Sequence, residues 1–144
     1  MNISRQKKIE LGRRICEWWK HQEHHRIECT ELKTDVGLRA SYSLIIDFDI
    51  SEETLKKYGD AYTRPLTSGM VIATVNFSCN DMNITREKND DAFYVYIAEY
   101  IAMQLFSDIA DKSHYGSSGV AKHFDALKSS SYEELEVKLD LAGV

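Results

Sequence analysis

Proline is nearly missing from this chain, with Pro65 the sole example in 144 residues. There is no linker, internal repeat or low-complexity run. Cysteine is scarce as well. Cys16, Cys29 and Cys79 are odd in number, and no two form a C-x-x-C pair. Neither a disulfide framework nor a cysteine-based zinc site is expected. Long apolar runs are absent too. Charge interrupts each one well before the roughly 20 residues that a membrane span needs, so no membrane partner is expected. The stretch from Met1 to Glu10 is polar and basic with no apolar core behind it, which is not a secretory leader. The expected location is cytoplasmic, and the N-x-S/T triplets at Asn2, Asn76 and Asn83 are then chance matches. Neither the G-x-x-x-x-G-K spacing of a phosphate-binding loop nor a G-x-S-x-G elbow occurs.

What is present is ordinary globular composition, 43% hydrophobic and 28% charged. The length predicts one domain over 1–144, large enough to bury about two-thirds of the surface its unfolded chain exposes. Charge is unevenly placed. Residues 1–26 hold seven basic and three acidic side chains, +4, while the rest holds eleven and twenty, −9. A basic front and an acidic body make a polar molecule. The simplest reading of that asymmetry is a basic helix lying against its own acidic body.

Ser4 to His25 contains no proline and one glycine, with Leu11, Ile15, Trp18, Trp19 and Gln22 at helical spacing. The pattern predicts a long amphipathic helix anchored by its two tryptophans. From Val36 to Ile50 the even positions are apolar and the odd ones largely polar, as in an antiparallel strand with one wet face. Arg26 to Lys33 suits a partner strand, with a hairpin closing over Thr34 to Gly37. Ser51 caps an expected helix bearing Leu55, Tyr58 and Tyr62. Val71 to Cys79 alternates as a further strand, and Asn80 to Asp91 reads as a polar loop. Phe93, Ile97, Ile101, Leu105 and Ile109 then repeat every four residues, predicting a central helix buried on most of its circumference.

After a break at Tyr115 to Gly119, Val120 to Lys128 suggests a short helix. Two patterns compete over 132–142. Leu135, Val137, Leu139 and Leu141 alternate like a strand, whereas Ser131 with Glu134 makes a capping box and Gly143 suits a helix end. The caps tip the reading to helix. The expected fold is α+β: a small antiparallel sheet of about three strands packed against a long N-terminal amphipathic helix and a buried central helix, with short C-terminal helices.

Four constellations invite chemistry. His21, His24, His25 and Cys29 suggest a metal, because His21 and His25 would share one helix face. A solvated cluster at a helix end explains them better, and no metal or other cofactor is expected. Asp47 and Asp49 would point the same way from a strand, as paired Mg²⁺ ligands do. Glu136-Val137-Lys138 adds a nuclease-like triplet, so a metal-dependent hydrolase is one alternative. Gly116 to Gly119, with Lys122 and His123 beyond, resembles an anion cradle but reads better as a capped turn. Arg5, Lys7, Lys8, Arg13 and Arg14 could meet phosphates, making nucleic-acid binding a second alternative. The leading expectation is a non-catalytic acidic module that docks on a basic protein surface. In size and charge it matches toxin-immunity proteins and phage inhibitors of bacterial defence. Asp47, Asp49, Asp81, Glu87, Asp90 and Asp91 are its expected contact residues. Self-association is also open, since the +4 front and −9 body could pair between chains.

Overall fold

The structure, a computed structural model, describes residues 3–35, 37–47, 86–102 and 123–144 and the course of the strand at 70–78. In chain order the elements are α1 (Arg5–His21), β1 (His25–Thr34), β2 (Gly37–Ile46), β3 (Met70–Ser78), α2 (Arg86–Ala102), a short 3-10 turn (Asp125–Leu127) and α3 (Tyr132–Ala142). The fold is α+β. An antiparallel hairpin, β1–β2, packs with three helices, and β3 extends the sheet antiparallel to β2 in the order β1-β2-β3. Among the described residues no helix is long and apolar enough to cross a membrane.

The first helix starts where Ser4 accepts a hydrogen bond from the Lys7 N–H at 3.1 Å, which satisfies one of the donors a helix start leaves open. It ends at His21, earlier than the apolar spacing predicts. Gln22 turns extended, its N–H bonds the Trp19 carbonyl, and its side-chain amide bonds the Trp18 carbonyl. His24 then takes a left-handed conformation, φ 64°, and the chain enters β1. His21 and His25 therefore do not share a helix face.

The α1 face that the spacing predicts is the buried one. Leu11, Ile15 and Trp19 are fully buried, and Trp18 and Cys16 nearly so. Trp19 anchors the core, stacking on Phe124 with centroids 5.2 Å apart and meeting His25 edge-on at 4.5 Å. Its indole N–H donates to the Arg26 carbonyl at 2.9 Å, so the ring is buried without an orphaned donor.

The second feature of α1 is Gly12. A Cβ there would lie 2.6 Å from Tyr94 Cα and still closer to the Tyr94 carbonyl. Only a hydrogen at this position lets α1 and α2 approach so closely.

In the sheet, β1 and β2 keep one register from His25↔Ile46 to Thr34↔Gly37, around a two-residue turn. Leu38, Ala40, Tyr42 and Leu44 are buried, as their alternation predicts. The alternation then breaks, because Leu44 and Ile45 are both buried. At the same point Leu44 pairs with Ala73 but Ile45 with Val71, so β3 carries one extra residue.

From Asn89 to Ala102 no residue of α2 is exposed, consistent with a helix buried on most of its circumference. It begins at Arg86, however, so residues 86–91 are helix and not loop. The first turn is polar and lies outside the apolar repeat. Its sequence signals are Glu87 at the helix start and the Arg86–Asp90 pair at i,i+4.

The C-terminal segment is helical. Ser131 accepts from the Glu134 N–H at 3.1 Å, while Glu134 reaches back to the N–H and hydroxyl of Ser130, not to Ser131. At the far end Gly143 adopts φ 78°, its N–H bonds the Asp140 carbonyl and the Val144 N–H bonds Leu139, which together make a Schellman motif. Leu135 and Leu139 are buried, whereas Val137 and Leu141 are exposed. The strand-like alternation came from adding the two sets together. Residues 123–128 form a turn and a single 3-10 turn, not an α-helix. The expected helix after Ser51, the end of the central helix beyond Ala102, and the turn at 116–119 lie outside the described residues.

Candidate functional site

The basic residues of α1 face the acidic residues of α2 and α3. Lys7 Nζ lies 2.9 Å from Glu136 Oε1 and 3.6 Å from Glu10. Lys8 Nζ donates to Glu99 at 2.8 Å and sits 5.7 Å from the centre of the Tyr132 ring. Arg13 pairs with Asp91 at 3.5 Å and lies over the Tyr94 ring. Arg14 is the most engaged. It donates to the main-chain oxygen of Val144 at 2.9 and 2.6 Å and pairs with Asp140 at 2.5 Å. The hydrogen bonds to Glu136 and Glu99 hold Lys7 and Lys8 above the ordinary lysine pKa. Of the five cations that a phosphate backbone would use, Arg5 alone has no ion pair among the described residues.

The acidic candidates divide in the same way. Asp47 follows the end of β2 and accepts from Arg26 Nε through both oxygens, at 2.9 and 2.8 Å. Arg26 also contacts Glu28. Asp90 accepts from Arg86 Nε at 2.7 Å and from the Tyr42 hydroxyl. Asp91 belongs to Arg13, although its buried Oδ1 makes no hydrogen bond of its own. Glu87 is exposed and has no cationic partner among the described residues. Asp49 and Asp81 lie outside them, so the Asp47–Asp49 pair is not on view. Asp35, Asp125 and Glu133 are also exposed without a described cation. They were not among the expected contacts, because they form no row or motif with spacing of its own.

A polar network that the sequence did not suggest joins the sheet to the start of α2. Arg86 bridges Glu31 on β1 at 2.5 Å and Asp90 at 2.7 Å, and its guanidinium lies 5.7 Å from the Tyr42 ring centre. The same ring stacks on Phe93, with centroids 4.5 Å apart and 7° between planes. Burial and the neighbouring Asp90 push the Tyr42 hydroxyl well above the ordinary phenol range, so it remains a donor. Cys29 borders this network, yet burial raises its thiol despite Arg86 and Tyr42. Cys16 is pushed up to about 12 by burial. Neither thiol is prepared as a nucleophile. Between Arg86 and Asp90 on α2, Asn89 is 3% exposed and its amide nitrogen has no acceptor among the described residues.

The histidines do not converge. His21 ends α1, His24 is in the turn, and His25 opens β1 with its Nδ1 2.7 Å from the Glu23 carbonyl oxygen. Among the described residues no group of three or more His, Cys, Asp or Glu side chains is arranged to hold a metal ion. The Glu136-Val137-Lys138 triplet is helical. Glu136 is paired with Lys7, and Lys138 contacts Glu134 and the Lys128 carbonyl. His123 stands beside Trp19, while Lys122 and the glycines before it lie outside the described residues. Comparison with protein-family models, with curated proteins and with solved structures finds no match.

Proposed function

We propose that the chain is a non-catalytic acidic module that binds a basic surface on another protein. The observation that supports this reading is the internal neutralisation of α1. Lys7, Lys8, Arg13 and Arg14 are all paired with carboxylates of their own chain. The net charge of −5 is then presented outward by carboxylates without a described partner, Asp35, Glu87, Asp125 and Glu133. An excess of one sign steers association with the opposite sign and makes it salt-dependent. An inhibitor that covers a basic active surface, of the toxin-immunity or phage anti-defence kind, fits these properties.

The test is affinity capture from a native lysate with and without nuclease, read by mass spectrometry, comparing wild type with Glu87→Lys and Asp35→Lys. A stoichiometric protein that survives nuclease, elutes with salt and is lost from the variants supports the proposal. Recovery of nucleic acid alone, lost with nuclease, replaces it with phosphate binding by α1. Retention of the same protein by both variants removes these carboxylates from the contact.

A further inference from the structure

We propose that the outer edge of β1 is a self-association surface, where a second copy of the chain adds its own β1 antiparallel in a register centred on Leu32. β1 is the outermost strand among the described residues, and residues 30–34 are all exposed. Leu32 is 58% exposed, one of three large apolar side chains left so far in water among the described residues.

The phase of the ladder identifies which backbone groups are free. Thr34 and Gly37 flank a two-residue turn, and such a closing pair is hydrogen-bonded. Even-numbered residues of β1 therefore direct their N–H and C=O groups at β2, and odd-numbered ones direct theirs outward. Two bonds at the other end agree: Asp47 N–H bonds the His24 carbonyl at 2.8 Å, whereas His25 N–H turns away to Gln22 at 3.1 Å. Glu31 and Lys33 thus carry donors and acceptors that have no partner among the described residues, in the exposed part of the edge. An unpaired edge of this kind is a template for another strand.

Charge selects the occupant and the register. Two antiparallel copies centred on Leu32 place Glu31 of one opposite Lys33 of the other, twice by symmetry. These are the positions whose main-chain groups would bond across the axis. Leu32 then meets its own copy in a non-hydrogen-bonded pair, where opposing side chains are closest. Lys33 has no ion pair among the described residues, and Glu31 already leans on Arg86, so Lys33 of a second copy completes an acid–base–acid–base chain with Asp90. The neighbouring register, centred on Thr30, sets Glu28 against Leu32 and Ile27 against Lys33. It also requires the edge at Ile27 and Cys29, which pack against the core. A five-residue ladder is short, so the dimer is reversible and depends on concentration.

Sedimentation equilibrium of the full chain up to millimolar concentration tests this, with circular dichroism confirming that each variant is folded. Wild type should approach twice the mass of one chain. Lys33→Glu places like charges opposite each other at both symmetry-related positions and should weaken the dimer about tenfold or more. Glu31→Lys should do the same. An equimolar mixture of the two variants pairs Glu with Lys at every position, so it should dimerise where neither does alone. A wild type that stays monomeric throughout, a dimer unaffected by Lys33→Glu, or a mixture that fails to associate would each overturn the proposal.

Discussion

The side of the molecule built around α1 and the free edge of β1 treat charge in opposite ways. Along α1 each cation from Lys7 to Arg14 meets a carboxylate from an element distant in sequence, including Glu99, Glu136 and Asp140. Along β1, from Thr30 to Thr34, the residues are exposed, and although Glu31 pairs with Arg86, Lys33 has no ion pair among the described residues. Charge density read from sequence is the same kind of number in both places. What differs is whether the fold has already used it. A cation bound to its own chain offers little to a phosphate or a partner, whereas an unpaired charge on an open strand edge is available.

The sharpest way to break the first region is Gly12→Ala. The new methyl meets the main chain of Tyr94, which cannot move as a side-chain end can. A loss of about 3 kcal/mol in urea denaturation is expected, the upper end for overpacking a core. Leu32→Ala, on the exposed edge, should stay within about 0.5 kcal/mol of wild type under conditions where the chain is monomeric. Comparable losses at both positions would erase the contrast.

Arg14→Ala comes next. It removes the hydrogen bonds to Val144 and the pair with Asp140, which hold the C-terminal helix to α1. A loss of about 1–2 kcal/mol is expected from charge-assisted bonds that are only partly buried. Amide exchange should locate the loosening in residues 132–144, and uniform loosening would contradict a local clasp.

The smallest effect is that of pH on Glu134. The N–H and hydroxyl of Ser130, with Lys138, hold its carboxyl below the ordinary value of 4.5. The ionised form is favoured by folding, so its contribution is fully present above pH 4.5 and is lost as pH falls through the depressed folded value. The stability difference between wild type and Glu134→Gln should therefore narrow in acid. A constant difference from pH 7 to pH 3 would assign the effect to packing.

How much of this was legible in the sequence follows from the range of each interaction. The buried face of α1, the alternation of β2 as far as Leu44 and the four-residue repeat of α2 as far as Ile101 are local periodicities, and each is found where the spacing put it. Local signals also gave the caps at Ser131 and Gly143. The strand-like pattern over Leu135 to Leu141 misled because Val137 and Leu141 are apolar yet face water. The helical start at Arg86 was hidden because polar residues carry no periodicity, although the Arg86–Asp90 spacing was available. Gly12 showed no sign of its role, since a lone glycine in a helix looks the same whether it faces solvent or a neighbouring backbone.

The candidate contacts were least legible. Nothing in the spacing says that Asp47 meets Arg26, or that Arg13 meets Asp91 from far along the chain. The sequence showed an acidic row and a basic helix, and the fold pairs members of both internally. Of the carboxylates left over, Glu87 was an expected contact, whereas Asp35, Asp125 and Glu133 had no motif to announce them.

The most direct test of an internally neutralised α1 is a double-mutant cycle on Lys8 and Glu99, which lie 2.8 Å apart. Urea denaturation would compare wild type, Lys8→Glu, Glu99→Lys and the exchanged pair. The internal clasp predicts that each single reversal destabilises the chain and that the exchange recovers about 0.5–1 kcal/mol of the summed loss. Strictly additive effects, with no recovery in the exchanged pair, would contradict it and return the basic face of α1 to solvent.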